Sequence, residues 1–290
     1  MVSLDLILQQ LANGILFGGQ IALIAVGLTL IWGVMDVLNF AHGSMLMIGG
    51  YIGLYTIQAT ESLILAAILA TVGVFVLGVI TDQVLIQRLK EREDAEITLI
   101  LGTFGLAITL EHGVSVLLGS SQLAFPSLFE GVWEIGSITL GKTRVYLFVV
   151  ALITILLLFT LIRFTKIGFA IRAVSQDANT AKLMGVNTDR IYSITFGLGA
   201  ALAGLSGMLI APVYNVYPAV GWQPFLLAFI VVIIGGLGSV RGTLLAALAT
   251  GVFRSLSLTW FSSQATLIFM FGAMIFVLIF LPNGFAEVIE

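Results

Sequence analysis

The chain contains no cysteine, which excludes disulfides, iron–sulfur clusters and thiolate zinc sites together. It is also poor in charge: 9% of its 290 residues are Asp, Glu, Lys or Arg, where a soluble domain carries roughly 25%. Twelve Lys and Arg against fifteen Asp and Glu give a net charge of -3, which offers no basic face to the phosphates of a nucleic acid. With two histidines and no His-Glu-x-x-His, the chain lacks the ligand set of a zinc hydrolase. It also lacks the phosphate-binding string G-x-x-x-x-G-K-[ST], so any ATP that drives it is bound by another subunit. No Lys or Arg precedes the first apolar stretch and no small-residue cleavage site follows, so a removable signal peptide is not expected.

What fills the chain instead is apolar: 59% of residues are hydrophobic, arranged in long uncharged runs that read as membrane spans of about 20 residues each. Spans are expected near 12–35, 42–58, 63–85, 97–118, 146–163, 191–212, 225–238, 242–259 and 266–281. The reading is an all-α, polytopic transmembrane helix bundle of eight or nine spans in the plasma or inner membrane, one transmembrane domain over 1–290. The seventh and eighth runs are short, so one or both are candidates for broken or re-entrant segments. The five prolines, Pro126, Pro212, Pro218, Pro224 and Pro282, fall in loops or at the ends of runs, so the spans should be free of proline kinks.

Orientation follows from Lys and Arg in the short loops. Arg88, Lys90 and Arg92 lie in one loop, and Arg163, Lys166, Arg172, Lys182 and Arg190 in another. Both should be cytoplasmic, with only Lys142 and Arg144 outside. The N-terminus is then external and the C-terminus cytoplasmic. Glycine is abundant, with 32 residues, and Gly14, Gly18 and Ala22, like Gly199, Ala203 and Gly207, form small-residue stripes. Such stripes let helices approach closely, within one bundle or across a dimer.

The largest polar segment, 164–190, is expected to hold a short helix. Asp177 is a suitable N-cap, Ala178 to Met184 has helix-forming composition, and Gly185 stands where a left-handed residue would end the helix. Asn187, Thr188 and Asp189 offer caps for the next span. Leu183 and Met184 should be exposed, which suits docking to a soluble partner; a helix lying on lipid is the alternative.

This segment, the following stretch from Thr195 to Pro212, the later run from Ala228 to Gly242 and the early Asn39-Phe-Ala-His-Gly43 together resemble the permease subunits of branched-chain amino-acid ABC importers. The blocks are collinear and cover most of the chain. The resemblance implies a second related permease, two ABC ATPase subunits carrying ATP and magnesium, and an extracytoplasmic substrate-binding protein, with no cofactor or catalytic group in this chain. It also implies a cytoplasmic coupling helix that sits in a groove of the ATPase, with Arg172, Asp177, Ala181 and Gly185 in that role. The general importer pattern is Glu-Ala-Ala, three residues, then Gly. Here Asn179-Thr180-Ala181 and Gly185 keep the last alanine and the glycine but not the glutamate, and the Ile-x-x-Pro that would follow is absent.

Two interruptions are candidates for the substrate path: Asn39, His42 and Gly43 in the first, and Gly235, Gly236 and Gly238 in the second. Paired breaks in the two halves of a transporter mark its path, because freed backbone groups are tolerated only where they face protein or water. The alternatives are a structural role for Asn39 and His42, and a tight turn that needs glycine at 235–242. Among isolated ionisable residues, Glu111 and His112 should lie near the external end of the fourth span, and Arg254 should face the bundle or the external interface. No chain of buried carboxylates suggests a proton relay. Gly204-Leu-Ser-Gly207 matches a serine-protease string, but both histidines precede Ser206, and a packing face is the better reading. The function expected is translocation of aliphatic amino acids delivered by a binding protein. Import of urea or short amides, or action as a stand-alone channel or secondary carrier, are the alternatives.

Overall fold

The computed structural model describes residues 4–126, 129–281 and 284–286, so Pro282 lies outside the described residues. Eleven helices are described: α1 (Leu4–Met35), α2 (His42–Thr60), α3 (Leu63–Lys90), α4 (Ala95–Leu118), α5 (Lys142–Phe164), α6 (Lys166–Gln176), α7 (Ala178–Leu183), α8 (Thr188–Tyr214), α9 (Trp222–Gly235), α10 (Val240–Ser257) and α11 (Ser263–Phe280). Between α4 and α5 a two-stranded hairpin, β1 (Val132–Ile135) with β2 (Ile138–Gly141), adds a small departure from the all-helical expectation. Seven stretches are long and apolar enough to cross a membrane: α1, α3, α4, α5, α8, the Pro218–Gly235 stretch that contains α9, and α11. The other two expected spans, α2 and α10, are helices of 19 and 18 residues with less apolar sequences.

Burial sorts these helices into two shells. In the most apolar windows of α1 and α8, 89% of residues are buried, against 11–22% in α3, α4, α5 and α11. The inner pair therefore meets protein on all sides, and the outer four turn apolar side chains such as Ile68, Leu101, Leu157 and Ile279 outward. Side chains of that kind are stable against lipid and costly against water.

Close approach through small residues joins the inner helices. A Cβ built on Gly14 would lie 2.6 Å from the Val252 Cα, and one on Gly18 would lie 2.8 Å from the Ala247 carbonyl, so α10 packs directly along the glycine stripe of α1. The hydroxyls of Thr29 and Thr243 add a buried 2.8 Å hydrogen bond between the same two helices. On the other side, a Cβ at Gly207 would collide with the Leu46 carbonyl, and one at Gly49 with Gly204, which seats α2 on α8. Both glycine stripes thus serve packing inside this chain.

The inner helices form an inverted repeat. α1 ends at Met35, the chain breaks over 36–41, α2 starts again inside the bundle, and α3 returns alongside it. In the second half α8 ends at Tyr214, the chain breaks over 215–221, α9 starts inside the bundle and α10 returns. α1 and α8 run in opposite directions: Gly33 at the end of α1 packs on Gly238, and Gln87 at the end of α3 bonds Asp189 at the start of α8, all at one end of the bundle. Each break opens with a polar residue at positive φ, Asp36 at 54° and Asn215 at 61°; Asn215, with ψ −179°, lies in a region almost confined to glycine.

This architecture corrects two expectations. The seventh run, one of the two candidates for a broken segment, is α9, a 14-residue helix that starts inside the bundle after the break at 215–221, whereas the eighth, the other candidate, is the continuous helix α10. Pro212 sits inside α8, which runs two residues past it to Tyr214, and Pro224 is the third residue of α9. A proline costs little in a first turn, where its missing N–H has no helical acceptor. In α8 the helix is closed beyond the proline by the Asn215 N–H, which donates to the Ala211 carbonyl at 2.8 Å.

Candidate functional site

The two breaks meet. A Cβ on Gly221 would collide with the Gly43 carbonyl, and one on Gly43 would lie 2.8 Å from the Gly221 carbonyl. The starts of α2 and α9 are therefore in backbone contact in the middle of the bundle. Depth can be read from His42, whose Nε2 lies 3.2 Å from the Ile24 carbonyl. Ile24 is eleven residues before the end of α1, or roughly 16 Å along a helix rising 1.5 Å per residue. Neither helix start has a side-chain cap, but α9 is entered through a 3-10 turn, Pro218–Gly221, from which the Trp222 N–H already donates to the Ala219 carbonyl, so of the two starts only that of α2 brings the positive end of a helix dipole to this contact. The second break is pinned to the connection after α4 by a two-way backbone pair, Leu123 N–H to the Val216 carbonyl at 2.8 Å and Val216 N–H to the Leu123 carbonyl at 3.0 Å.

Aromatic rings cover this junction on the α4 side. Phe40 packs on Phe104, Phe225 and Phe229 with centroid separations of 6.3, 5.7 and 6.4 Å, and Trp222 lies 5.9 Å from Phe104. The Trp222 indole N–H donates to Glu111 Oε2 at 2.6 Å, which gives that carboxylate its hydrogen bond, as expected for an isolated acid near a helix end. The crevice between Phe40, Gly43, Ser44, Pro218, Gly221 and Trp222 has no room for a water molecule, so the junction is closed in this conformation.

Of the sequence-identified path residues, the structure brings Asn39, His42 and Gly43 to this junction and leaves Gly235, Gly236 and Gly238 elsewhere. Asn39 is 1% exposed; its Oδ1 accepts from the Ala41 N–H at 3.0 Å and its Nδ2 faces the Met45 sulfur at 3.8 Å. A carbonyl can only accept, so the His42 Nε2 carries the proton that points at Ile24, and its buried Nδ1 is left without a partner. The 235–239 turn lies at the end of the bundle beside Gly33, with Gly236 at φ 97° and Gly238 at φ 88°. Only glycine takes those angles without strain.

At that same end lies the 164–190 segment. Thr165 caps α6 by accepting from the Gly168 N–H at 3.0 Å, and α6 buries Gly168, Ile171 and Val174. Arg172 donates to the Arg163 carbonyl at 3.4 Å and lies over the Phe169 ring. Asp177 then caps α7, its Oδ1 accepting from the N–H groups of Asn179 and Thr180 at 2.9 and 3.1 Å and its Oδ2 from the Thr180 hydroxyl at 2.5 Å. Those donors, the Thr180 hydroxyl first, hold its carboxyl below the usual carboxylate range. The helix closes with Gly185 at φ 86°; Gly185 N–H donates to Lys182 and Val186 N–H to Ala181, both at 3.0 Å, the paired bonds of a Schellman ending. Ala181 is buried, while Leu183 and Met184 are 87% and 81% exposed. Asn187 caps α8 by accepting from the Arg190 N–H at 3.0 Å.

Several residues escaped sequence reasoning. Gly221 ends, and Trp222 follows, a break that the sequence shows only as a gap between the sixth and seventh runs; its Val216 and Val220 are apolar and buried, so nothing in it marks what it will touch. Asp82 was counted within an apolar span, yet it opens a π turn, Asp82–Ile86, and is fully buried. Its Oδ2 accepts from Ser193 and Gln87, both at 2.7 Å, tying α3 to α8; its Oδ1 has no partner. The π turn is the available clue, since such turns arise where a side chain must be held out of helical register. Ser206 donates to the Leu202 carbonyl at 2.6 Å within its own helix, in agreement with a packing role. Among the described residues no group of three acids or histidines is placed to hold a metal.

Comparison with known proteins accords with this arrangement. The family described as branched-chain amino acid transport system / permease component matches residues 10–278. The chain is 33% identical to the high-affinity branched-chain amino acid transport system permease protein LivH of Escherichia coli K12, over 96% of this chain and 94% of that protein. It is 31% identical to BraD of Pseudomonas aeruginosa, with the same coverage, and 26% identical to LivM of E. coli K12 over 90% of this chain and 66% of that protein. No solved structure matches. The chain is therefore a multi-pass membrane protein that belongs to the branched-chain amino acid transport permease family.

Proposed function

We propose that this chain is one membrane-spanning subunit of an ATP-driven importer of branched-chain amino acids. In that reading it pairs with a second, related permease, as similarity to both LivH and LivM suggests. Two ATPase subunits holding ATP and magnesium drive it from the cytoplasm, and an external binding protein delivers substrate. The Lys- and Arg-rich end with α6 and α7 is the cytoplasmic end. Residues 1–290 act as one permease unit with α6 and α7 as its coupling segment.

The observation that carries this reading is α7. A six-residue helix held at both ends by capping bonds, with two large apolar side chains exposed at its tip, has the form of a rigid knob for a protein groove. A helix that rested on lipid would spread its apolar residues along one face and be richer in Lys and Arg. The junction of α2 and α9 supplies the path: the uncapped start of α2 suits a carboxylate, and the surrounding rings suit an aliphatic side chain. Asn39 and His42 hold the broken backbone in place, and Gly235, Gly236 and Gly238 shape the turn through which motion of the coupling end reaches α9 and α10.

Reconstitution tests the proposal. The complete complex in liposomes should take up leucine only with ATP and the binding protein, and this chain alone should be inert. Leucine uptake by the chain alone without ATP would replace the reading with a stand-alone carrier; uptake of urea or acetamide in place of leucine would change the substrate class.

A further inference from the structure

At the end of the bundle opposite α7, four helices surround a cavity of about 280 Å³. α1 contributes Gln10, Asn13, Phe17 and Gln20, α5 contributes Arg144 and α10 contributes Arg254, while the end of α8 and the residue that caps α10 close the rest. Its size is near the lower end of small-molecule pockets, roughly 300–1,000 Å³.

The charge in this cavity is uncompensated. Arg144 and Arg254 both line it, yet among the described residues neither makes an ion pair or a side-chain hydrogen bond; Arg254 lies over the Phe17 ring at 4.2 Å. Arg144, in the first turn of α5, is exposed, whereas Arg254 is half-buried within α10; an arginine within a membrane-embedded helix is costly and normally finds an anionic partner or lines a functional cavity. Among the described residues Arg254 has no such partner. Gln10 is engaged with the Ser255 hydroxyl at 2.8 Å, which fixes the wall between α1 and α10. Asn13 and Gln20 keep amide groups with no partner among the described residues.

We infer that this cavity is a second substrate site, a carboxylate-binding entry site at the end where the binding protein releases its cargo; the inference rests on the amino-acid import proposed above. Two guanidinium groups supply the forked donors that match a carboxylate. The amide oxygens of Asn13 and Gln20 suit the ammonium group, since an amide oxygen accepts where a lysine or arginine cannot. Phe17, Val213 and Leu258 give an aliphatic side chain an apolar wall. Because the site lacks a carboxylate of its own to pair with the ammonium, it binds weakly and releases onward, as an entry site must.

The test uses the complete complex in detergent without the binding protein, probed by saturation-transfer NMR with leucine and with leucinamide, which lacks the carboxylate. Leucine should give a methyl signal at least tenfold stronger than leucinamide. Arg254→Gln together with Arg144→Gln should abolish that signal, and Arg254→Lys should keep part of it and report on a folded complex. Equal signals from leucine and leucinamide, or a leucine signal untouched by the double change, would overturn the site. So would displacement of leucine by glycerol phosphate at concentrations where acetate is inert, which would assign the cavity to a lipid headgroup, or weaker docking of the binding protein with no arginine-dependent leucine signal. Uptake of leucine by the wild-type complex in liposomes separates the two levels. If uptake is present and the arginine-dependent signal is absent, only this site falls; if the wild type takes up no leucine, the import reading falls and this site with it.

Discussion

Gly43 and Gly221 touch backbone to backbone across 178 residues of sequence, the first in the opening turn of α2 and the second immediately before α9. Neither has room for a Cβ, because the atoms in the way are main-chain atoms that cannot rotate aside. Gly221→Ala and Gly43→Ala should each destabilise the bundle by about 1–3 kcal/mol, the usual cost of overpacking. Gly105→Ala is the control, since nothing lies within 4 Å of a Cβ at that position. Fluorescence-detected size exclusion after graded heating should show lower transition temperatures for the first two and no change for the third.

The Schellman ending of α7 gives a second prediction. Gly185→Trp should block coupling, because φ 86° penalises any side chain and the indole would project from the tip beside Leu183 and Met184. Basal assembly of the permease should survive, as Gly185 has no neighbour within 4 Å. Substrate-stimulated ATP hydrolysis in the full complex is the measurement, with loss of most of the stimulation expected; unchanged stimulation would remove α7 from the coupling role.

The cap of α7 should depend on pH in one direction only. The Asp177 carboxyl is held below its ordinary range by Thr180 and Asn179, so the charged form is favoured in the folded state. Its contribution is fully present above the ordinary carboxylate value and is lost as pH falls through the lowered one. Hydrogen exchange at the Asn179 and Thr180 amides should stay slow down to mildly acidic pH and speed up only below it. Asp177→Asn, which also caps, should remove the pH dependence while keeping protection, and Asp177→Ala should lose protection at every pH.

Asp82 and Ser193 form a buried pair between α3 and α8, and a double-mutant cycle should find them coupled by about 0.5–3 kcal/mol. Asp82→Ala alone should cost more than Ser193→Ala, because Gln87 also loses its acceptor at Asp82. Thermal stability of the purified complex supplies all four corners of the cycle, and strict additivity would deny the pair any role in fixing the π turn.

His42 and Asn39 are expected to act on structure before transport. His42→Ala removes the bond to the Ile24 carbonyl and leaves that acceptor buried, at about 1–3 kcal/mol, and Asn39→Ala frees the Ala41 N–H in the same way. Uptake should fall in step with the amount of folded complex. Reduced uptake per folded complex, with normal basal ATP hydrolysis, would instead place these side chains on the path.

Much of the fold could be read from the sequence because helix formation in a membrane is governed by local rules. Apolar runs located all nine long helices, and capping chemistry located both ends of α7 through Asp177 and Gly185, whose roles depend only on their immediate neighbours. The contacts that make the site are not local. Nothing near Gly221 announces that Gly43 will press against it: the 215–221 break falls in the gap between the expected sixth and seventh spans, and nothing in it shows that the chain turns back into the bundle there. The polar island at Asn39 was visible as an interruption, but its depth follows from the reach of His42 to Ile24. Arg144 and Arg254 likewise converge only once α5 and α10 have both packed on α1.

The burial of α1 has a consequence for how the chain is made. Its glycine stripe is covered by α10, whose Val252 packs on Gly14, and that residue leaves the ribosome more than two hundred positions later. At about 5–20 residues per second, the first helix waits roughly ten to fifty seconds for its partner. Throughout that interval Gln10 and Thr29 lack the Ser255 and Thr243 hydroxyls that α10 will bring, and an unsatisfied polar group in hydrocarbon is expensive. A newly made first helix is therefore a client for the insertion machinery until synthesis is nearly over, and truncation before α10 should leave it open to membrane proteolysis.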